Sequence, residues 1–188
     1  MCLNRPNRSE QMEIMKIIPS GNKLWEQVWR LYVDSFPEWE RRRISSHSRA
    51  SEDDDFHTYI SIENGNLQGL VFYWEHDSVI YVEHLAVNPL MRGKGIGSQI
   101  IKGLMEENPE STFILEIDPP LDDISKRRST FYERLGFIAN DFDYIHPSYT
   151  KNGKPHELRI MSYPKALSNE EFERFKEYMA TRVMKYID

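Results

Sequence analysis

The chain has 188 residues and a formal net charge of −6 at pH 7, with 39% hydrophobic residues. That length suits one ordinary domain with a single core, and the negative charge argues against nonspecific nucleic-acid binding, so no nucleic-acid partner is expected. Cys2 is the one cysteine, which excludes a disulfide framework and a cysteine metal cluster; no apolar run reaches membrane-spanning length and no signal-peptide pattern opens the chain, so the expected location is cytoplasmic.

Residues 1–11 read as a loose polar terminus, residues 12–165 as the main domain and residues 166–188 as an added C-terminal helix. A weak alternation over residues 13–19 predicts a first strand. Asn22 is placed to cap a helix over residues 23–34, whose apolar face carries Leu24, Val28, Leu31 and Tyr32. Phe36-Pro37-Glu38-Trp39 breaks that helix and starts a short second one through Arg43, and residues 45–55 read as an acidic-ended surface loop. Residues 56–62 and 67–75 are predicted strands, joined by the hairpin signal Asn64-Gly65. His76-Asp77 turns the chain into a third strand over residues 79–87, completing an antiparallel meander.

A helix from about residue 95 to 108 buries Ile96, Ile100, Ile101, Leu104 and Met105, and Pro109 stops it. Residues 112–117 form a short apolar strand, so strand, helix and strand here predict a crossover and a parallel pair at the sheet centre. Asp122 or Asp123 caps the next helix, with Ile124, Arg128, Phe131, Tyr132 and Leu135 on its inner side and Gly136-Phe137 as a left-handed stop. Two more strands are expected over residues 137–145 and 156–163, with a turn at Lys151-Asn152-Gly153-Lys154. Ser168-x-x-Glu171 is a capping box that opens a helix with Phe172, Phe175, Met179, Val183 and Tyr186 on one stripe. That stripe packs on the domain or, in a second reading, makes a homodimer contact.

The chemistry concentrates between residues 81 and 136. In Arg92-Gly93-Lys94-Gly95-Ile96-Gly97, three glycines let backbone approach a ligand without Cβ hindrance. The free N–H groups of the helix start, its macrodipole and two basic side chains favour an anion, and a pyrophosphate is the natural guest. Gly97 is followed by Ser98-Gln99, so the ending of a nucleoside-triphosphate loop is missing. Glu116 sits in an otherwise apolar strand, where a carboxylate is either paired or used. Glu83 is placed similarly on the preceding strand, with a structural role as its first reading. On a regular strand His84 faces away from Glu83, so the two do not serve one site directly. The six histidines show no metal spacing.

These residues resemble the GCN5-related N-acetyltransferase (GNAT) superfamily. Its pyrophosphate signature, Gln/Arg-x-x-Gly-x-Gly/Ala, is matched by Arg92 through Gly97, preceded by the strand ending Leu85-Ala86-Val87. The helix-ending Phe131-Tyr132-Glu133-Arg134-Leu135-Gly136-Phe137 matches the family's later element. The resemblance implies an α/β (α+β) fold: a mixed, mostly antiparallel central sheet with a parallel, splayed pair, flanked by helices. It implies acetyl-CoA as co-substrate and no metal. The backbone of Leu85, Ala86 and Val87 pairs with the pantetheine arm, and the amides of Arg92, Gly93, Lys94, Gly95, Ile96, Gly97 and Ser98 hold the pyrophosphate. Ser125 and Arg128 stand where the family often has asparagine and alanine; Arg128 either reaches a phosphate or points to solvent. Trp25, Trp29, Trp39 and Trp74 read first as core residues, though Trp39 lies where the family often lines its acceptor pocket. The implied reaction is direct acetyl transfer to a small or peptide amine, with Tyr132 as general acid and Glu116 or Glu83 as base. The alternative is an acyl-CoA-binding module without catalysis.

Overall fold

The computed structural model describes residues 13–17, 23–150 and 153–187. The loose terminus, the Asn22 cap and the Lys151-Asn152 turn fall outside them.

Strands β1 (Glu13–Ile17), β2 (Phe56–Glu63), β3 (Asn66–His76) and β4 (Val79–Val87) form the expected antiparallel meander. The β2–β3 turn has positive φ at Asn64 (51°) and Gly65 (75°), the backbone that an Asn-Gly hairpin favours. Helix α3 (Ile96–Glu107) crosses over to β5 (Thr112–Ile117), which pairs parallel with β4. After α4 (Asp123–Arg134) come β6 (Ile138–Ala139), the hairpin β7 (Ile145–His146) and β8 (His156–Glu157), and β9 (Arg159–Tyr163). The main sheet runs β1-β2-β3-β4-β5-β9-β6, with β4 and β5 the parallel pair in an otherwise antiparallel sheet.

Helices cover both faces. Helix α1 (Lys23–Ser35) buries Val28, Leu31 and Tyr32, and α5 (Asn169–Thr181) buries Phe172, Phe175 and Met179; these residues share one core cluster with Phe72, Trp74, Tyr81 and Ile114, Tyr32 meeting Phe72 and Phe175 meeting Tyr81. On the opposite face Ile96, Ile100, Ile101 and Leu104 of α3 meet Val71, Tyr73, Ile80, Val82 and Leu115, with Tyr132 and Phe137 beside them. The expected Ser168–Glu171 capping box is formed, and of the two candidate caps of α4 it is Asp122 that serves, in a further box with Ser125.

Four local expectations are corrected. The predicted loop at 45–55 contains helix α2 (Ile44–Ala50), which buries Ser46, His47 and Ala50 and so shows no apolar period. The short helix expected after Phe36 is a single 3-10 turn, Glu38–Glu40. The inner side of α4 is Ser125, Ser129 and Tyr132, whereas Ile124 is 72% exposed and Arg128 lies outside. The strand predicted over 137–145 stops at Ala139, because Asn140 turns its side chain onto Ser162 Oγ (3.0 Å) and accepts from Leu167 N (2.7 Å).

Candidate active site

Parallel pairing of β4 with β5 runs only from Val79↔Thr112 to Val82↔Leu115. Beyond it β4 continues through Glu83, Leu85 and Val87 with β3 on one edge alone, and these three residues are partly exposed while His84 and Ala86 are buried. The two strands therefore splay, and β4 offers one free edge of peptide groups. A free edge takes another extended chain through its unpaired N–H and C=O groups. The expected site residues Leu85, Ala86 and Val87 lie along it.

The glycine loop follows at the C-terminal end of β4. Gly93 and Gly95 have φ of 77° and 82°, a conformation that other residues rarely adopt. Gly95 is the N-cap of α3 and supplies no side chain, so the helix start keeps its donors free. Arg92, Gly93, Lys94 and Gly95 are exposed, whereas Ile96 and Gly97 are buried. A Cβ at Gly97 would lie 3.4 Å from Phe131 and from Val87, so glycine keeps α3, α4 and β4 close there. A groove of about 560 Å³ runs from Ser98 of α3 to Lys126, Arg127, Thr130 and Arg134 of α4. These basic side chains were not singled out in the sequence; the run Lys126-Arg127-Arg128 at the start of α4 was the available signal. Ser125 is spent on the cap, donating to Asp122 O (3.1 Å).

The other side of the splay is a smaller cleft of about 80 Å³, with Phe36, Glu83, His84, Glu116, His146 and Tyr149 among its walls. Glu83 and His84 share this cleft, contrary to the regular-strand expectation. Phe72 pairs with His84 and Tyr73 with Val82, so Glu83 is the extra residue of a β-bulge. The bulge swings both side chains to the α1 face and leaves His84 Nδ1 3.9 Å from Glu83 Oε2. Glu83 is fully engaged: Arg42 Nη1 and Tyr149 Oη (2.9 Å) donate to Oε1, and Trp74 Nε1 (3.0 Å) donates to Oε2. Burial alone would raise its carboxyl, but the charge of Arg42 overrides burial and holds it at about 2. His84 bonds Glu40 O through Nε2 (2.9 Å) while Nδ1 has no hydrogen-bond partner, and burial lowers its pKa.

Glu116 is the less satisfied acid. Its Oε2 is 3.5 Å from His146 Nε2, and no well-formed hydrogen bond reaches Oε1. Burial raises its carboxyl to about 8, against the pull of the neighbouring Tyr144 and Tyr81 hydroxyls. Burial also lowers His146 to about 4, so the two meet near neutral pH as a neutral acid and a neutral imidazole rather than an ion pair. Sequence reasoning missed Arg42, His146 and Tyr149. Arg42 stood within an arginine run that reads as surface, and the only hint was that a carboxylate in β4 needs a cation.

Tyr132 lies on the α3 side, packed against Phe131 and Phe137, 7% exposed, with burial raising its phenol to about 12. Arg128 is at the mouth of the small cleft, its Nη1 2.6 Å from Asp118 Oδ2. Trp39, expected in the core, is 62% exposed, because it sits on the single 3-10 turn after α1, which buries no residue, next to the cleft residue Glu40. A separate cavity of about 470 Å³ beneath α5 shares only Tyr81 with the cleft, and holds none of the expected site residues. Among the described residues no group of three or more His, Cys, Asp or Glu could hold a metal ion, and no helix is long and apolar enough to cross a membrane.

A splayed parallel pair beside a glycine-rich helix start without a side-chain cap is the arrangement that the resemblance led us to expect, and comparison with known proteins agrees on the family. The acetyltransferase (GNAT) family matches residues 25–137, more than half of the chain, and the chain belongs to that family. It is similar to a GNAT-family chain from Bacteroides thetaiotaomicron, with a TM-score of 0.84 and 27% identity over 92% of this chain and 98% of that one. It is 31% identical over 106 residues to YjbC of Bacillus subtilis (strain 168), an acetyltransferase by name; the match covers 54% of this chain and 54% of that protein, about half its length. Naa50 of Arabidopsis thaliana, solved with the bisubstrate analogue CoA-Ac-MVNAL, shares the fold with a TM-score of 0.59 at 19% identity, over 82% of this chain and 99% of that one.

Proposed function

We propose that this protein transfers an acetyl group from acetyl-CoA to a primary amine by direct attack. The observation that carries the reading is the splay itself: one gap between β4 and β5 has a phosphate-ready helix start at one side and a buried acid–imidazole pair at the other. The residues present fit acetyl-CoA. The free edge of β4 at Leu85 and Val87 suits an extended amide-bearing arm, and the amides from Gly93 to Ser98 suit a pyrophosphate. Lys126, Arg127 and Arg134 suit the remaining phosphate charge. Bound there, acetyl-CoA supplies an activated thioester.

The chain's own residues then have three tasks. An incoming amine arrives as an ammonium ion and must lose a proton before it attacks. Glu116 is the base in this reading, with His146 beside it, because an ammonium in the cleft favours the ionised carboxylate at Oε1. Glu83 is already committed to Arg42, Trp74 and Tyr149 and is too weakly basic for that role; its charge orients the cleft. Backbone N–H groups at the open end of β4 stabilise charge that develops on the thioester oxygen. The phenol of Tyr132 gives its proton to the departing sulfur. The residues of the small cleft favour an amine on a narrow arm, whether from a small molecule or a peptide.

The test is release of CoA thiol from acetyl-CoA with a mixed amine panel, alongside melting temperature. Acetyl-CoA stabilises the folded state by binding it alone. Gly95→Val, which cannot adopt the loop's φ without strain, abolishes that shift in a folded protein. Stabilisation by ATP but not by acetyl-CoA overturns the reading. A thermal shift without thiol release from any amine favours the acyl-CoA-binding module instead.

A further inference from the structure

Arg42 has no exposed surface, yet its three nitrogen groups are all used. One binds Glu83, Nη2 donates to Val183 O (2.8 Å) and Nε donates to Tyr186 O (3.3 Å). Its guanidinium also lies 5.0 Å from the Tyr149 ring centre and 5.5 Å from that of Trp74, the two other donors to Glu83. Two of the acceptors that fix Arg42 are thus main-chain carbonyls of the segment that follows α5, beyond the residues matched by the family.

That segment is itself clasped to the α2–β2 connection. Arg182 reaches Asp53 (2.7 Å) and Asp55 (3.4 Å), Tyr186 Oη donates to Asp53 (2.6 Å), and Tyr178 Oη donates to Asp55 (3.0 Å). Tyr186 also stacks on Trp74 at 6.0 Å. A buried guanidinium that loses two carbonyls is left under-solvated, and its hold on the facing carboxylate loosens with it.

We propose that the C-terminal segment is a working part of the acceptor cleft: its carbonyls fix Arg42, and Arg42 is a positioning residue that sets the orientation of Glu83 and Tyr149 in the cleft wall. The chain of contacts is continuous, from Asp53 and Asp55 through Arg182 and Tyr186 to Arg42, Glu83 and Tyr149. Nothing in it touches the glycine loop. The segment therefore acts on the amine and leaves the cofactor end alone, and this kinetic consequence rests on the acetyl-transfer reading above.

Two variants test it. In Asp53→Asn/Asp55→Asn the clasp loses its charge, and amide hydrogen exchange speeds up both in residues 182–187 and in residues 146–150, which carry Tyr149. Unchanged exchange in either segment overturns the proposal, whatever the enzyme does. Arg42→Met/Glu83→Gln removes both buried charges together, which spares the fold the unpaired ion that a single substitution leaves. This variant keeps its acetyl-CoA thermal shift and acetyl-CoA KM but loses about 10²-fold in amine kcat/KM, the scale of a small misplacement at the reacting centre. Wild-type amine kcat/KM in that variant overturns the positioning role. If the unmodified protein acetylates no amine, the acetyl-transfer reading fails, and hydrogen exchange still decides this one.

Discussion

The two sides of the β4–β5 gap are built on different physical plans. On the side proposed for the cofactor the groups put forward are backbone: the free edge of β4, two glycines at positive φ and the open start of α3. They come from one continuous stretch of chain, and most of the loop is exposed. On the side proposed for the acceptor the groups put forward are side chains: Arg42, Glu83, His84, Glu116, His146 and Tyr149, brought from four regions of the sequence and buried at their polar ends. The first side is cheap to specify and tolerant of neighbours. The second holds ionisable groups away from water, so each depends on a partner that another part of the chain must deliver.

The sharpest way to break this contrast is at Tyr132, on the α3 side, which we propose as the general acid. Tyr132→Phe keeps the ring packed on Phe131 and Phe137 and removes one hydroxyl. The expected loss in turnover is about 10²–10⁴-fold, the usual worth of a general acid, with melting temperature and acetyl-CoA affinity nearly unchanged. Steady-state kinetics with any accepted amine checks it, and full activity in the variant assigns the sulfur's proton to water or another group.

The acceptor side is where stability is most exposed to a single change. Glu83→Gln leaves Arg42 buried without its counter-charge, and the expected cost is about 3–5 kcal/mol by denaturant unfolding. The native Glu83 carboxyl sits at about 2, below its ordinary value of 4.5, so its contribution is present above that ordinary value and is lost as pH falls toward 2. The variant's unfolding free energy is correspondingly flatter across that acid range. A variant as stable as the parent at neutral pH would show that the pair adds nothing to the fold.

Glu116 carries the opposite sign. Its carboxyl is raised from 4.5 to about 8, so between those values the native state holds a proton that the unfolded chain has lost. Its contribution is therefore full at acid pH and declines as pH rises through about 8. Glu116→Gln removes this slope and is the more stable protein above pH 8, even as it lowers amine turnover. Unfolding measured at several pH values from acid to alkaline separates the two slopes, because Glu83 and Glu116 act in different windows. A wild-type slope that survives Glu116→Gln would place the titrating group elsewhere.

The legibility of the sequence follows the same division. The glycine loop, the Asn64-Gly65 turn, the Ser168–Glu171 capping box and the apolar face of α3 are local patterns, and with the strand runs they pointed to the meander, the crossover, the parallel pair and the last helix. Helix α2 was hidden because its buried residues are serine, histidine and alanine, with the aromatic rings that cover His47 supplied by α1, β2 and β3. Glu83 and Glu116 stood out as carboxylates in apolar strands, but nothing along the chain named their partners, since Arg42 and His146 lie 41 and 30 residues away. The bulge that places His84 beside Glu83 is a property of the β3–β4 register and leaves no mark in β4 alone.

Arg128 gives the smallest effect and the finest discrimination between the two sides. Its position on α4, one turn before Tyr132, is compatible with a phosphate contact, and the neighbouring Lys126 and Arg127 line the groove proposed for the cofactor. Its guanidinium, however, is turned to the acceptor mouth and bonded to Asp118 at 2.6 Å, with both side chains 47% exposed. An ion pair that open to solvent contributes about 0–1 kcal/mol, so Arg128→Ala changes stability very little. If Arg128 serves the mouth, its removal frees Asp118 beside the entering ammonium and changes the amine KM by a few-fold, with the acetyl-CoA affinity unaltered. If it serves the phosphates, the affinity for acetyl-CoA falls instead, and falls more at low salt than at high salt because an exposed charge contact is screened. Isothermal titration with acetyl-CoA at two ionic strengths, followed by amine KM, distinguishes the two, and an altered acetyl-CoA affinity moves Arg128 to the cofactor side of the gap.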